Sequence, residues 1–245
     1  MDAQLTPKGI DIQEAVRQFL LAILPDGIEV VAAQDNRVPE PAADDFVVIN
    51  DVRRERVSTN IDENHDCSFT ASIAGTTLTV TAILLGTIVP TSSTVLFGTN
   101  VTAGTKILSQ LTGAPGGIGT YRISTTQTLG SAKFASGTVA LIQHTKITYQ
   151  IDVHGPNAVD NAQTISTGFR DPYAVEFFRS QDPEVAAPLY ADDPRQVPFV
   201  NENQQVETRW IVEALVQANQ RISVAQDFAD ELSTEFIDVE ANYPP

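Results

Sequence analysis

Three histidines and one cysteine are the side chains best suited to acid–base, nucleophilic or metal chemistry in this chain: His65, His144, His154 and Cys67. His65, Asp66 and Cys67 are consecutive, and His144 lies on the far side of a long intervening segment, so a shared metal site is conceivable. Their spacing matches no established ligand pattern, and polar residues at a hinge are the simpler reading. Asp152 and His154 are two apart on an alternating segment and share a face. That placement favours a structural hydrogen bond or plain exposure over an acid–base pair. The cluster Gly113-Ala114-Pro115-Gly116-Gly117-Ile118-Gly119 lacks the Gly-Lys-Ser/Thr ending of a phosphate loop and opens no predicted helix, so it reads as a turn. Cys67 has no evident activating neighbour and reads as a buried thiol. No catalytic residue, metal ligand or cofactor-binding residue is expected.

The elements that carry these residues centre on His144 to Asp171. Ile147, Tyr149, Ile151 and Val153 alternate with Lys146, Thr148, Gln150 and Asp152, the pattern of a half-buried strand. Gly155-Pro156 breaks it. Val159, Ala162, Ile165 and Phe169 then recur at helical spacing, with Pro156 at or near the first turn. Upstream, Thr6-Pro7 reads as a helix start, followed by Ile12, Val16, Phe19, Leu20 and Ile23 on one face. Ile28 to Ala33 is a short strand, residues 34–45 a polar loop, and Phe46 to Val57 a strand whose second half is charged. Arg53, Arg54 and Arg56 with Glu55 suit a solvated edge, with a subunit or ligand contact as the alternative. Downstream come a short helix from Tyr173 to Arg179 and a proline-rich irregular loop from Ser180 to Val200. Val206 to Asn219 is a strand covered on both sides, which Ile222 to Val224 extend or bend back. Phe236 to Val239 is a last strand.

Composition divides the chain. All 31 acidic residues lie outside Cys67–Leu141, a segment whose only charges are Lys106, Arg122 and Lys133. The segment holds 10 of the 14 glycines, and the flanks carry a net charge of -19 within a total of -16. Alternation such as Leu78, Val80, Ala82 and Leu84, with irregularly spaced Gly-Thr pairs, predicts short strands and glycine turns rather than a low-complexity linker. Strands enter and leave this segment, so excising it would leave an antiparallel hairpin. The expected organisation is a discontinuous core, 1–66 with 142–245, and a domain of 67–141 inserted at a hairpin tip, where insertion disturbs few contacts. The fold class is α+β: a mixed sheet with flanking helices, plus a small all-β sandwich or barrel-like insert.

Charge and cysteine usage exclude several classes. A strongly acidic chain does not wrap nucleic acid through phosphate contacts or bind an anionic membrane surface. One cysteine excludes an internal disulfide framework. With no signal pattern and no apolar run long enough to span a bilayer, the chain is expected to be soluble, without a membrane partner, and made in a reducing cytoplasm.

Five segments together resemble the neck or tail-terminator proteins of tailed bacteriophages, which join head and tail. They are LLAILPDGIEVVAAQDNRVPEP, RRERVSTNID, YQIDVHGPNAVDNAQTISTGFRD, PLYADDPRQVPFVNENQQVETRW and ISVAQDFADELSTEFIDVEANYP. The resemblance covers Ile10 to about Asp62 and Lys146 to Tyr243, with the glycine- and threonine-rich segment as a departure. It implies a virion protein assembled in the host cytoplasm. It further implies a homo-oligomer, a hexameric ring that closes the tail tube and meets a head-side connector or adaptor protein and the tail-tube protein. DNA would pass through without specific binding. Subunit or partner contacts are expected at Asn36, Arg37, Arg53, Arg54, Arg170, Asp171, Tyr190 and Arg209. Asp44, Asp45, Asp192 and Asp193 are candidate channel-facing acids. Another phage ring protein, a tail-tube or baseplate subunit, is the alternative. A cell-wall hydrolase fits less well, because the inserted segment has no carboxylate to offer an acid pair.

Overall fold

A computed structural model describes residues 5–33, 44–91, 94–197, 199–200 and 206–226. In chain order the elements are β1 (Leu5–Thr6), α1 (Gly9–Ile23), β2 (Glu29–Ala32), β3 (Phe46–Arg56), β4 (Ile61–Leu85), β5 (Val95–Gly98), β6 (Ile107–Gly113) and β7 (Gly119–His154). They continue with α2 (Ala158–Arg170), α3 (Pro172–Gln181), β8 (Ala187–Ala191), β9 (Arg195–Gln196), β10 (Phe199–Val200), β11 (Val206–Glu207) and β12 (Arg209–Ala225). Contacts divide the described chain into two compact units. One comprises Asn64–Val139 with the end of β12 from Val224; the other lies within Ala3–Glu63 and Ala140–Ser223.

The second unit is a mixed sheet in the order β1-β12-β7-β3-β2, with β8 and β9 also paired to β12. β2 and β3 are parallel, whereas β3 and β7 are antiparallel from Phe46↔His154 to Arg56↔Thr145. The hairpin pairing expected from the sequence is therefore present. Ile147, Tyr149, Ile151 and Val153 are all fully buried, as the alternation predicts. They pack with Val47 and Ile49 of β3 and Val212, Ala214 and Val216 of β12 under the apolar faces of α1, α2 and α3. Phe19 is at the helix junction, its ring 4.8 Å from Phe169, 5.4 Å from Phe177 and 5.6 Å from Phe178. β12 is covered on both faces, with Ile211 and Leu215 buried as well.

Three local expectations change. Thr6 does not begin α1 but pairs with Arg221 in β1. The helix starts later, where the Lys8 N–H donates to the Asp11 carboxylate at 2.9 Å, closing the first turn. Val159 is 44 % exposed; Ala158, Asn161, Ala162, Ile165, Ser166 and Phe169 form the buried face of α2. The stretch from Ser180 onward is more regular than its prolines suggested, because β8 and β9 both pair with β12. Edge strands tolerate proline, and Pro188 sits in β8, with β12 as its only described neighbouring strand. The strand expected at Phe236 to Val239, residues 34–43 of the polar loop, and Asn36 and Arg37 lie outside the described residues.

The other unit has its own core of Cys67, Phe69, Ala71, Ile73, Leu78, Val80, Ile88, Leu96, Ile107, Tyr121, Ile123 and Phe134. Its strands run longer than the glycine punctuation predicted. β4 turns back at Gly75, where φ is 64°, so that Thr81 Oγ1 reaches the Thr70 carbonyl at 3.1 Å. Val95 pairs with Gly137 on one side and Lys106 on the other, and the Lys106 carbonyl accepts from the Ser124 N–H at 2.9 Å. The glycine cluster is the expected turn: Gly113 pairs with Gly119 at the base of the β6–β7 hairpin, and Tyr121 Oη donates to the Gly117 carbonyl at 2.6 Å.

Phe19→Ala tests the helix junction. It should lower the unfolding free energy by about 3–5 kcal/mol, the range for an aromatic removed from a close-packed core, read by urea titration. A loss under about 1 kcal/mol would mean that the four-ring cluster does not hold the helices on the sheet.

Candidate functional site

Expected contact residues fall into two groups on the core sheet and its helices. Arg53 and Arg54 lie on the charged end of β3. Lys146 pairs with Glu55 at 2.6 Å, and Arg53 pairs with it too. The Lys146 hydrogen bond, aided by the Arg53 charge, holds the Glu55 carboxyl below the usual carboxylate range. Arg54 pairs with Asp51 and also donates to Gln220 Oε1 at 3.2 Å. Gln220 Nε2 in turn donates to the Pro7 carbonyl at 2.8 Å, so Arg54 links β3, β12 and the entry to α1. Arg56 Nε donates to the Ser58 carbonyl at 2.7 Å. The basic run is thus tied down by local pairs.

The second group surrounds the ends of α2 and β8. Arg170 Nε donates to the Ala191 carbonyl at 2.7 Å, and its terminal nitrogen pairs with Asp193 at 2.8 Å. Asp171 caps α3, accepting from the Tyr173 N–H at 2.9 Å. Tyr190 is 48 % exposed on β8. Arg209 pairs with Asp152 at 2.9 Å, and Asp152 also accepts from Gln150 Nε2 at 3.0 Å. Asp152 is therefore a partnered structural carboxylate, while His154 stacks on Phe46 at 4.6 Å between ring centroids.

Among the candidate channel acids, Asp44, Asp192 and Asp193 are exposed. Asp45 instead holds two elements together. It accepts from the Asn157 N–H at 2.9 Å and from Asn157 Nδ2 at 2.8 Å, clasping the start of β3 to the start of α2. Sequence reasoning missed this clasp, because Asp45 and Asn157 are far apart in the chain. Gly155 fits beside it only without a side chain: its φ is 106°, and a Cβ would collide with the Asp44 carbonyl and the Asp45 carboxylate.

A cleft of about 750 Å³ in the same unit is lined by Asp11, Glu63, Asp182, Glu184, His144 and Arg221, among others. His144 Nδ1 lies 2.7 Å from Asn219 Oδ1. Among the described residues no group of three or more His, Cys, Asp or Glu side chains is arranged to hold a metal. Cys67 is buried, and desolvation pushes its thiol up to about 11.

A mixed sheet packed against three helices, with most of its described basic side chains held in ion pairs, defines an α+β protein. The chain belongs to the phage neck terminator protein family, whose sequence profile matches residues 84–240. It is accordingly a structural component of the phage neck. No curated protein matches the chain. The matched span includes the carboxylate-free segment from Leu84 onward, which the sequence resemblance set apart, and does not include Ile10 to Asp62.

Three outcomes follow for the isolated chain. Cys67 should resist maleimide at pH 8 in the folded state and react rapidly in denaturant; equal rates would show that the thiol is not enclosed. Its raised value also adds stability that is complete below about pH 9 and is lost as pH rises towards about 11. Asp45→Ala should destabilise the core by about 1–3 kcal/mol, because two donors of Asn157 lose their acceptor, measured by thermal melts.

Proposed function

We propose that copies of this chain form a ring, hexameric by analogy with the family, which terminates the tail tube and joins it to the head connector. The observation that carries this reading is the match to the neck terminator family across residues 84–240. The partners are a head-side connector or adaptor protein and the tail-tube protein, and the work is binding rather than catalysis. The ion pairs and caps at the expected contact residues suit that role: they hold charged side chains in fixed positions on a rigid sheet.

The same reading gives the charge a purpose. Flanks at -19 and a Cys67–Leu141 segment at +3 belong in different surroundings. Exposed carboxylates such as Asp44, Asp192 and Asp193 on an inner wall would repel phosphates and keep DNA moving, where a basic wall would retain it by counterion release. Residues 67–141 act as a domain inserted into the core.

An image of the particle with this protein located in it tests the ring. Expected are a single ring at the head-proximal end of the tail and an inner wall where acids outnumber Lys and Arg. A monomer in the particle, many copies along the tube, or a wall lined by Arg53, Arg54 and Arg56 would overturn the respective parts. Deleting Cys67–Leu141 and bridging the ends with a short turn should leave a soluble core with one cooperative melt. Loss of that transition would show that the two parts share a hydrophobic core.

A further inference from the structure

We propose that the two edges of the core sheet left unpaired among the described strands join one copy of this chain to the next, the β2 edge of one subunit taking the β8 edge of its neighbour as an added strand. The inference rests on the ring reading above and names its interface. β2 has β3 on one side and no described strand on the other; β8 likewise has only β12.

Backbone direction shows what these edges offer. The Ala33 N–H bonds to the Ile49 carbonyl at 2.9 Å, so positions 29, 31 and 33 turn towards β3 and Val30 and Ala32 turn outward. The outward Val30 carbonyl accepts from Arg17 Nε of α1 at 2.9 Å. On β8 the arrangement recurs. The Asp192 N–H bonds to the Glu213 carbonyl at 2.8 Å, and the outward Ala191 carbonyl accepts from Arg170 Nε of α2 at 2.7 Å. Each arginine is anchored by a carboxylate, Glu14 at 3.2 Å or Asp193 at 2.8 Å. Helix-borne arginines thus guard both edges of the free subunit, limiting the indiscriminate pairing to which open strands are prone.

Hollows of mixed lining beside one guard and exposed apolar side chains beside the other offer a partner contact area. Two hollows of about 270 and 280 Å³ along β2 share Ile10, Gln13, Ala32 and Ile49, and Ile10 is 67 % exposed. On β8, Leu189 is 43 % and Tyr190 48 % exposed. A strand added to β2 would place alternate side chains in the hollows while its backbone pairs with Val30 and Ala32. The two edges belong to one sheet and differ from each other. The contact is therefore head-to-tail, the kind that repeats around a ring.

The test uses the full chain in analytical ultracentrifugation, with thermal melts of each variant. Ala32→Pro removes an outward N–H and leaves the β3-facing amides; Tyr190→Glu charges the opposite edge; Ala32→Ser keeps the donor. The unsubstituted chain and Ala32→Ser should assemble alike, and each edge variant should weaken association by about tenfold or more. Mixed in equal amounts, the two edge variants should give a dimer and nothing larger, since one sound edge remains on each. Exchange of the Ala32 amide should slow when the unsubstituted chain assembles, a readout that stands even if Ala32→Pro folds poorly. Edge variants that assemble like the unsubstituted chain, or an Ala32 amide indifferent to assembly, would overturn the interface and leave the ring standing. A chain that is monomeric at every concentration and in the particle would overturn both.

Discussion

The antiparallel ladder between β3 and β7 is the constraint on which the core depends. It fixes Phe46 opposite His154 and Ile49 opposite Ile151, and this register sends Ile147, Tyr149, Ile151 and Val153 to the helix side. A slip of one residue would instead bury Lys146, Thr148, Gln150 and Asp152 there, so register and hydrophobic pattern enforce each other. The ladder also places the end of β7 beside the start of β3. Asp45 can then hold Asn157, and α2 leaves the sheet at a set angle over the core.

Much of this was legible because the signals were local and periodic. The alternation from Lys146 to Val153 named the buried face, and the 3.6-residue spacing of Ile12, Val16, Phe19 and Leu20 named the packed side of α1. Errors arose where a distant partner decided the outcome. Thr6 carries the chemistry of a helix cap, yet β12 recruits it as a strand residue. The prolines between Ser180 and Val200 suggested irregularity, but β12 provides a template on which β8 pairs despite Pro188. Val159 has the side chain for the core and sits one position off the buried stripe of α2.

What each candidate contact residue touches was not legible in the sequence. Arg54, Arg170 and Arg209 were expected at contacts, and each is held in a geometry that sequence could not supply: Arg54 by Asp51 and Gln220, Arg170 by Asp193 and the Ala191 carbonyl, Arg209 by Asp152. Arg17 gave a signal only in its spacing from Glu14, which fits an ordinary helix-surface pair. Its bond to the Val30 carbonyl depends on where β2 packs, and no periodicity encodes that.

The charge distribution links these observations. Outside Cys67–Leu141 there are 12 basic residues and 31 acidic ones, and Arg17, Arg53, Arg54, Lys146, Arg170, Arg195 and Arg209 are already engaged in ion pairs. The cations of the core thus serve mainly as local fasteners, and the acidic excess sets the long-range field. That field would slow the approach of separate subunits, whereas strand pairing and apolar contact act only at short range. A guarded, short edge beside the hollows along β2 would suit this chain: repulsion would reject approach in most orientations, and a partner that aligned a strand with β2 would gain enough to overcome it.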